Sequence, residues 1–154
     1  MHQPRSEDET VTEVVVDIRR FRRAPRALLE AAVRRTLEGE GVRAAEISVA
    51  LLGDAAMREL NHEHLGHNAP TDVLSFALHG EGEPPLGDVY LGVEQARRQA
   101  AEAGVSEAEE LVRLAVHGTL HVLGWEHPDE PGARFGSPMW ARQEALVAEV
   151  MRSA

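Results

Sequence analysis

Residues 106–127, SEAEELVRLAVHGTLHVLGWEH, decide the reading of the fold, because a helical run carries two histidines and then stops at a glycine. The spacing predicts a helix over 106–123, with Ser106 and Glu109 placed as a capping box. Four residues advance about 6 Å along a helix and return to nearly the same face, so His117 and His121 point together. Gly124 permits a left-handed exit that a side chain would resist, and the chain folds back with His127.

Three imidazoles at relative positions 0, +4 and +10 can gather around one metal ion. Neutral imidazole nitrogens at about 2.0–2.1 Å from zinc leave the fourth tetrahedral position open, the arrangement of a hydrolytic site. A water there is acidified to a pKa of about 7, and a carbonyl or phosphoryl oxygen can be polarised. Three unrelated histidines are the competing account. The metzincin protease pattern H-E-x-x-H-x-x-G-x-x-H shares this spacing, but here Gly118 stands where the protease has its glutamate. Glycine cannot take a proton from water, so a peptidase reading loses its central residue while the metal site survives.

Outward from this helix, strands alternate with helices. Val11–Ile18 reads as a β-branched first strand, and Pro25 opens a helix carrying Leu28, Leu29, Ala32, Val33 and Leu37 that Gly39 and Gly41 end. Ile47–Leu52 is a second strand, and Asp54 is placed to cap a helix running to Leu65. Val73–Leu78 is a third strand. After a Gly/Pro-rich turn, Asp88–Leu91 is a short fourth, and a helix over Val93–Ala103 precedes the histidine helix. Residues 128–138 read as a loop before a last helix, Met139–Arg152. These elements predict a small α/β (α+β) single domain with one mixed, mostly parallel sheet of about four strands packed by helices. Residues 1–10 read as a flexible tail, and 11–154 as a single metallohydrolase domain.

The chain's 154 residues suffice for a core that needs no disulfides, and the absence of cysteine excludes disulfides and thiolate ligands. No apolar run approaches the about 20 residues of a membrane span, and the first ten residues lack a signal peptide's apolar segment, so a soluble cytoplasmic protein is expected. A net charge of −10 argues against a general nucleic-acid coat. All sixteen basic residues are arginine, however, and residues 17–43 carry a net +4 by count, with eight arginines from Arg19 to Arg43. That segment is either an RNA-facing patch or a solvated helix face.

Further blocks accompany the histidines: Leu60-Asn61, Pro70-Thr71-Asp72-Val73-Leu74-Ser75-Phe76, Leu86-Gly87-Asp88-Val89, Glu110-Leu111, and Leu114-Ala115-Val116. In this order, from about Ser48 to Glu144, they resemble the YbeY family of single-strand-specific endoribonucleases implicated in rRNA maturation. The resemblance implies one zinc ion held by His117, His121 and His127, hydrolysis of single-stranded RNA near the 3′ end of 16S rRNA, and a role in ribosome quality control. It also implies the small ribosomal subunit and an rRNA-binding GTPase as partners.

The chain departs from that pattern at Leu65, where many members carry an arginine assigned to phosphate contact, and at Glu126, which replaces an aspartate. Arg58, His64 and His67 are candidates to replace the missing charge, with a surface residue of no role as the alternative for each. Asp72 and Asp88 can orient a ligand histidine or receive a proton, or equally cap a turn. Thr71 and Ser75 can contact phosphates or satisfy strand-end amides. Glu110 can pair with an arginine, and Trp125 can pack beneath the metal loop or stack on a base. His2 and His79 have no supporting context. The leading expectation is a zinc-dependent endoribonuclease, with a ribosome assembly factor holding a structural zinc, and a zinc hydrolase of peptides, as alternatives.

Overall fold

The computed structural model describes residues 13–17, 24–130 and 132–154. The tail expected over residues 1–10, both ends of the expected first strand, and Arg19, Arg20, Arg22 and Arg23 lie outside the described residues.

Four strands form one sheet: β1 (Glu13–Asp17), β2 (Glu46–Leu52), β3 (Val73–Ala77) and β4 (Leu86–Gly92), in the order β1-β2-β4-β3. β1 and β4 both run parallel to β2, whereas β3 pairs antiparallel with β4, as the short connection between them requires. β4 is longer than the sequence predicts because it is the interior strand between β2 and β3, and the ladders fix its backbone on both edges.

Along β2, buried Ile47, Val49 and Leu51 alternate with half-buried Ser48, Ala50 and Leu52, the period-two signature of a sheet with unequal faces. The register sets Val49 beside Val89 and Leu51 beside Leu91, so these side chains share one face. Ser48, Asp88 and Phe76 lie on the opposite one.

Five helices complete the described structure: α1 (Arg26–Gly39), α2 (Asp54–Leu65), α3 (Val93–Ala103), α4 (Glu107–Val122) and α5 (Pro138–Arg152). α4 is the centre of the molecule, touching α1, α3, α5, β3 and β4. From Leu114 to Leu120 every residue is buried, so this segment is enclosed on all sides. Burying each Leu or Val there contributes about 1.5–3 kcal/mol relative to exposure. The helix lies close on its strand because of Gly118: a Cβ at that position would stand 2.5 Å from Val89 Cγ1 and 3.2 Å from Val73 Cγ2.

Serine caps begin α4 and α5, although Glu109 turns its carboxylate to Arg113 instead of closing the expected capping box, and the expected cap of α2 is absent. Ser106 Oγ accepts the Glu109 amide at 3.0 Å, and Ser137 Oγ accepts that of Trp140 at 3.2 Å, with Pro138 in the first turn. Asp54 is the first residue of α2 rather than its cap. Its amide is taken by Glu94 Oε1 from α3 at 2.6 Å, while its own carboxylate receives Arg98 at 3.0 Å. The expected loop before α5 contains a 3-10 turn, Ala133–Gly136, secured where Ser137 Oγ donates to the Arg134 carbonyl at 2.6 Å. No helix among the described residues is long and apolar enough to cross a membrane.

Candidate metal centre

The histidine helix ends in a two-bond turn. The Trp125 amide donates to the Leu120 carbonyl at 3.0 Å, and the Gly124 amide donates to that of His121 at 3.0 Å, with Gly124 at φ +102°. This is a Schellman closure, which reverses the chain direction and needs glycine at its left-handed residue. The reversal carries His127 back toward α4. One ligand nitrogen from each of His117, His121 and His127 lies within 4.8 Å of the others, and the ring centroids are 4.6–5.2 Å apart.

Each ring is held by its Nδ1. In His117 it donates to Gln143 Oε1 at 2.7 Å, in His121 to the Trp125 carbonyl at 2.8 Å, and in His127 to the Pro128 carbonyl at 3.0 Å. Carbonyl oxygens only accept, so the protons sit on Nδ1 and the three Nε2 lone pairs are left for a ligand. That tautomer, fixed from outside the ring, is what a metal-binding imidazole requires. Burial pushes His117 down to about 4, against the upward pull of Gln143, and burial likewise lowers His121. Both rings are therefore neutral near pH 7, the form that binds a cation. His117, His121 and His127 could hold a metal ion.

Behind His117 stands a polar chain. Gln143 is buried and donates its amide to Glu144 Oε2 at 3.0 Å, which fixes which way the amide faces. Glu144 accepts two hydrogen bonds from Arg113, at 2.8 and 3.0 Å, and Arg113 also reaches Glu109 and Glu110 at 3.0 Å each. Glu110 thus pairs with an arginine, and it receives Gln99 at 2.9 Å as well. Trp125 packs under the turn, its indole N–H donating to Glu40 Oε1 at 2.8 Å, while Arg142 grips the other Glu40 oxygen at 2.7 Å.

A cleft of about 560 Å³ opens beside His117. Asp72, Arg113, Arg134, Phe135 and Trp140 are among its walls, and Arg134 and Trp140 also border a smaller recess between His117 and His127. Of the residues singled out from sequence, Asp72 and Glu110 accompany His117 on the cleft wall; Glu110 is engaged by Arg113, and the Thr71 hydroxyl lies 3.5 Å from the Asp72 carboxylate. Asp88 alternates with Val89, whose side chain touches α4, and so faces the other side of the sheet. Ser75, opposite Val89, is half-buried between sheet and helix. The exposed α2 residues Arg58 and His64 and the following His67 do not line the cleft. His64 rests on Phe76, ring to ring at 5.1 Å, and Leu65 is 53% exposed.

Sequence reasoning missed Gln143, Arg134, Phe135 and Trp140. Only Gln143 left a signal: it is a lone amide in the buried stripe Met139, Leu146, Val147, Val150 of α5.

Residues 7–151 match the family model described as Endoribonuclease YbeY. The chain is 47% identical to the Endoribonuclease YbeY of Moorella thermoacetica, over 81% of this chain and 83% of that protein. It is 41% identical to that of Geobacillus thermodenitrificans, over 77% and 82% respectively. The solution structure of TM1509 from Thermotoga maritima superposes with a TM-score of 0.62 at 25% identity, covering 93% of this chain and 91% of that one. With the family model matched over residues 7–151 and relatives this similar, the chain belongs to the YbeY endoribonuclease family.

Proposed function

We propose that the protein is a zinc-dependent endoribonuclease of single-stranded RNA, acting in the cytoplasm on the 3′ end of 16S rRNA and in ribosome quality control. The observation that carries this reading is the set of three imidazoles whose Nδ1 atoms are all engaged, beside an open cleft. His117, His121 and His127 hold the ion, and zinc bound there supplies a Lewis acid and an activated water. Asp72, on the cleft wall, receives the proton of the attacking nucleophile, and Thr71 keeps its carboxylate oriented. Arg134 meets the phosphate in the place of the arginine that Leu65 lacks; its charge reaches His121. The small ribosomal subunit and an rRNA-binding GTPase are the partners family membership favours.

Gly118 weighs against the peptidase alternative on steric as well as chemical grounds. A side chain there would enter Val89, on the sheet side of α4, rather than reach a water on the histidine side.

The test is cleavage of a single-stranded precursor of the 16S rRNA 3′ segment by purified protein, with and without chelator, alongside His121→Ala and Asp72→Asn. Cleavage that stops on chelation, returns with zinc, and falls at least about 100-fold in each variant is the expected outcome. Chelator-insensitive cleavage, or full activity in His121→Ala, overturns the reading.

A further inference from the structure

We infer that Phe135 and Trp140 form a stacking platform for one nucleobase of the RNA, next to the phosphate held at the histidine centre. The inference rests on the nuclease reading and deepens it by assigning the neighbouring subsite.

The two rings meet edge to face, with centroids 4.7 Å apart and planes at 71°. Phe135 is 53% exposed although it is a large apolar side chain, and both rings border the cleft that His117 also lines. An aromatic face left open beside a reacting centre suits a flat, partly apolar ligand, and every nucleobase has such a face. The Arg134 guanidinium carbon lies 5.4 Å from the Phe135 centroid. One residue thereby offers a cation to a phosphate, and its chain neighbour offers a ring to the attached base.

Charge decides which part of the nucleotide enters. Glu110 and Glu144 are tied to Arg113, Asp72 and Glu102 are further carboxylates of the cleft wall, and Arg134 stands where the cleft meets the recess lined by His117 and His127. A pocket with this excess of carboxylates repels phosphate, and it accepts a neutral base whose amino and imino groups donate to carboxylate oxygens. The phosphate therefore stays at the histidine rim. Duplex RNA keeps its bases stacked on one another, so a platform of this kind selects strands whose bases can be splayed out.

The test uses wild type, Phe135→Ala and Phe135→Tyr with a labelled single-stranded oligoribonucleotide and a series lacking one base at a time. Binding is read by fluorescence anisotropy in chelator, and cleavage by kcat and KM with zinc restored. Phe135→Ala should weaken binding and raise KM about 5- to 150-fold, the range for losing one base stack, with kcat changed far less. Phe135→Tyr should stay within about twofold, since tyrosine keeps the ring. Removing the base at one position should cost wild type a similar factor and cost Phe135→Ala nothing further. Equal binding by Phe135→Ala, or base-removal losses that simply multiply with the substitution, overturns the platform while chelator-sensitive cleavage leaves the nuclease reading standing. Wild type that neither binds nor cleaves the RNA overturns both.

Discussion

Gln143 Oε1 stands 2.7 Å from His117 Nδ1, so α5 orients a ring carried by α4. An ion at the three histidines therefore depends on the docking of two helices as well as on the ligands themselves.

Gln143→Leu removes that acceptor at nearly constant volume and leaves the His117 ring free to turn. Metal affinity should fall about 10- to 100-fold, the usual cost of losing a group that orients a ligand. Competition against a chromophoric chelator measures this directly, and an affinity unchanged from wild type would contradict the orienting role of Gln143.

Gly124→Ala places a side chain at φ +102°. The strain should cost about 1–2 kcal/mol, and for a domain of this size a cost of that order lowers Tm by several degrees. Because the turn's Trp125 carbonyl also holds His121, metal affinity should drop in the same variant. An unchanged Tm in thermal unfolding of the metal-free protein would contradict the turn described above.

Gly118→Ala puts a methyl group 2.5 Å from Val89 Cγ1. Overpacking of this kind costs about 1–3 kcal/mol, so urea unfolding should show a clearly reduced midpoint. The double variant with Val89→Ala should regain part of the stability. Gly118→Glu, the substitution that completes the protease pattern, should yield misfolded protein rather than a peptidase.

Acid should dissolve the Glu144–Arg113 pairing. Burial by itself would raise the Glu144 carboxyl, but the hydrogen bonds from Arg113 and Gln143 outweigh it and hold it below its ordinary value. The unfolded chain therefore takes up the proton first as pH falls. The stabilisation is complete above the ordinary value of 4.5 and is lost as pH drops through the lower folded value. The Tm gap between wild type and Glu144→Gln should be widest near neutrality and close below pH 4.5. A gap that holds constant into strong acid would show that the charge on Glu144 contributes nothing.

The parts of the centre that sequence reveals are those set by local backbone geometry. His117 and His121 are four residues apart on one helix, and a glycine is required where Gly124 turns left-handed, so both could be placed before any tertiary contact was known. The strands, the antiparallel pairing of β3 with β4 and the parallel remainder follow from alternation and connection length in the same way. What sequence leaves open lies between segments. Arg134 and Phe135 reach the cleft through a 3-10 turn in a stretch without helical periodicity, and Glu94 caps a helix that begins 40 positions earlier. Asp72 and Asp88 look alike in sequence, and they separate only once α4 is laid on one face of the sheet.

The contact of Gly118 with Val89 has a wider consequence. A helix seated without a spacer on its strand can neither roll about its axis nor slide along it, so the sheet dictates the pitch of the His117 and His121 rings. For the base platform proposed above, changes of preference for one RNA sequence over another then have a route in the segment between His127 and α5. There Phe135 can be exchanged while the three histidines and the phosphate contact proposed for Arg134 stay in place.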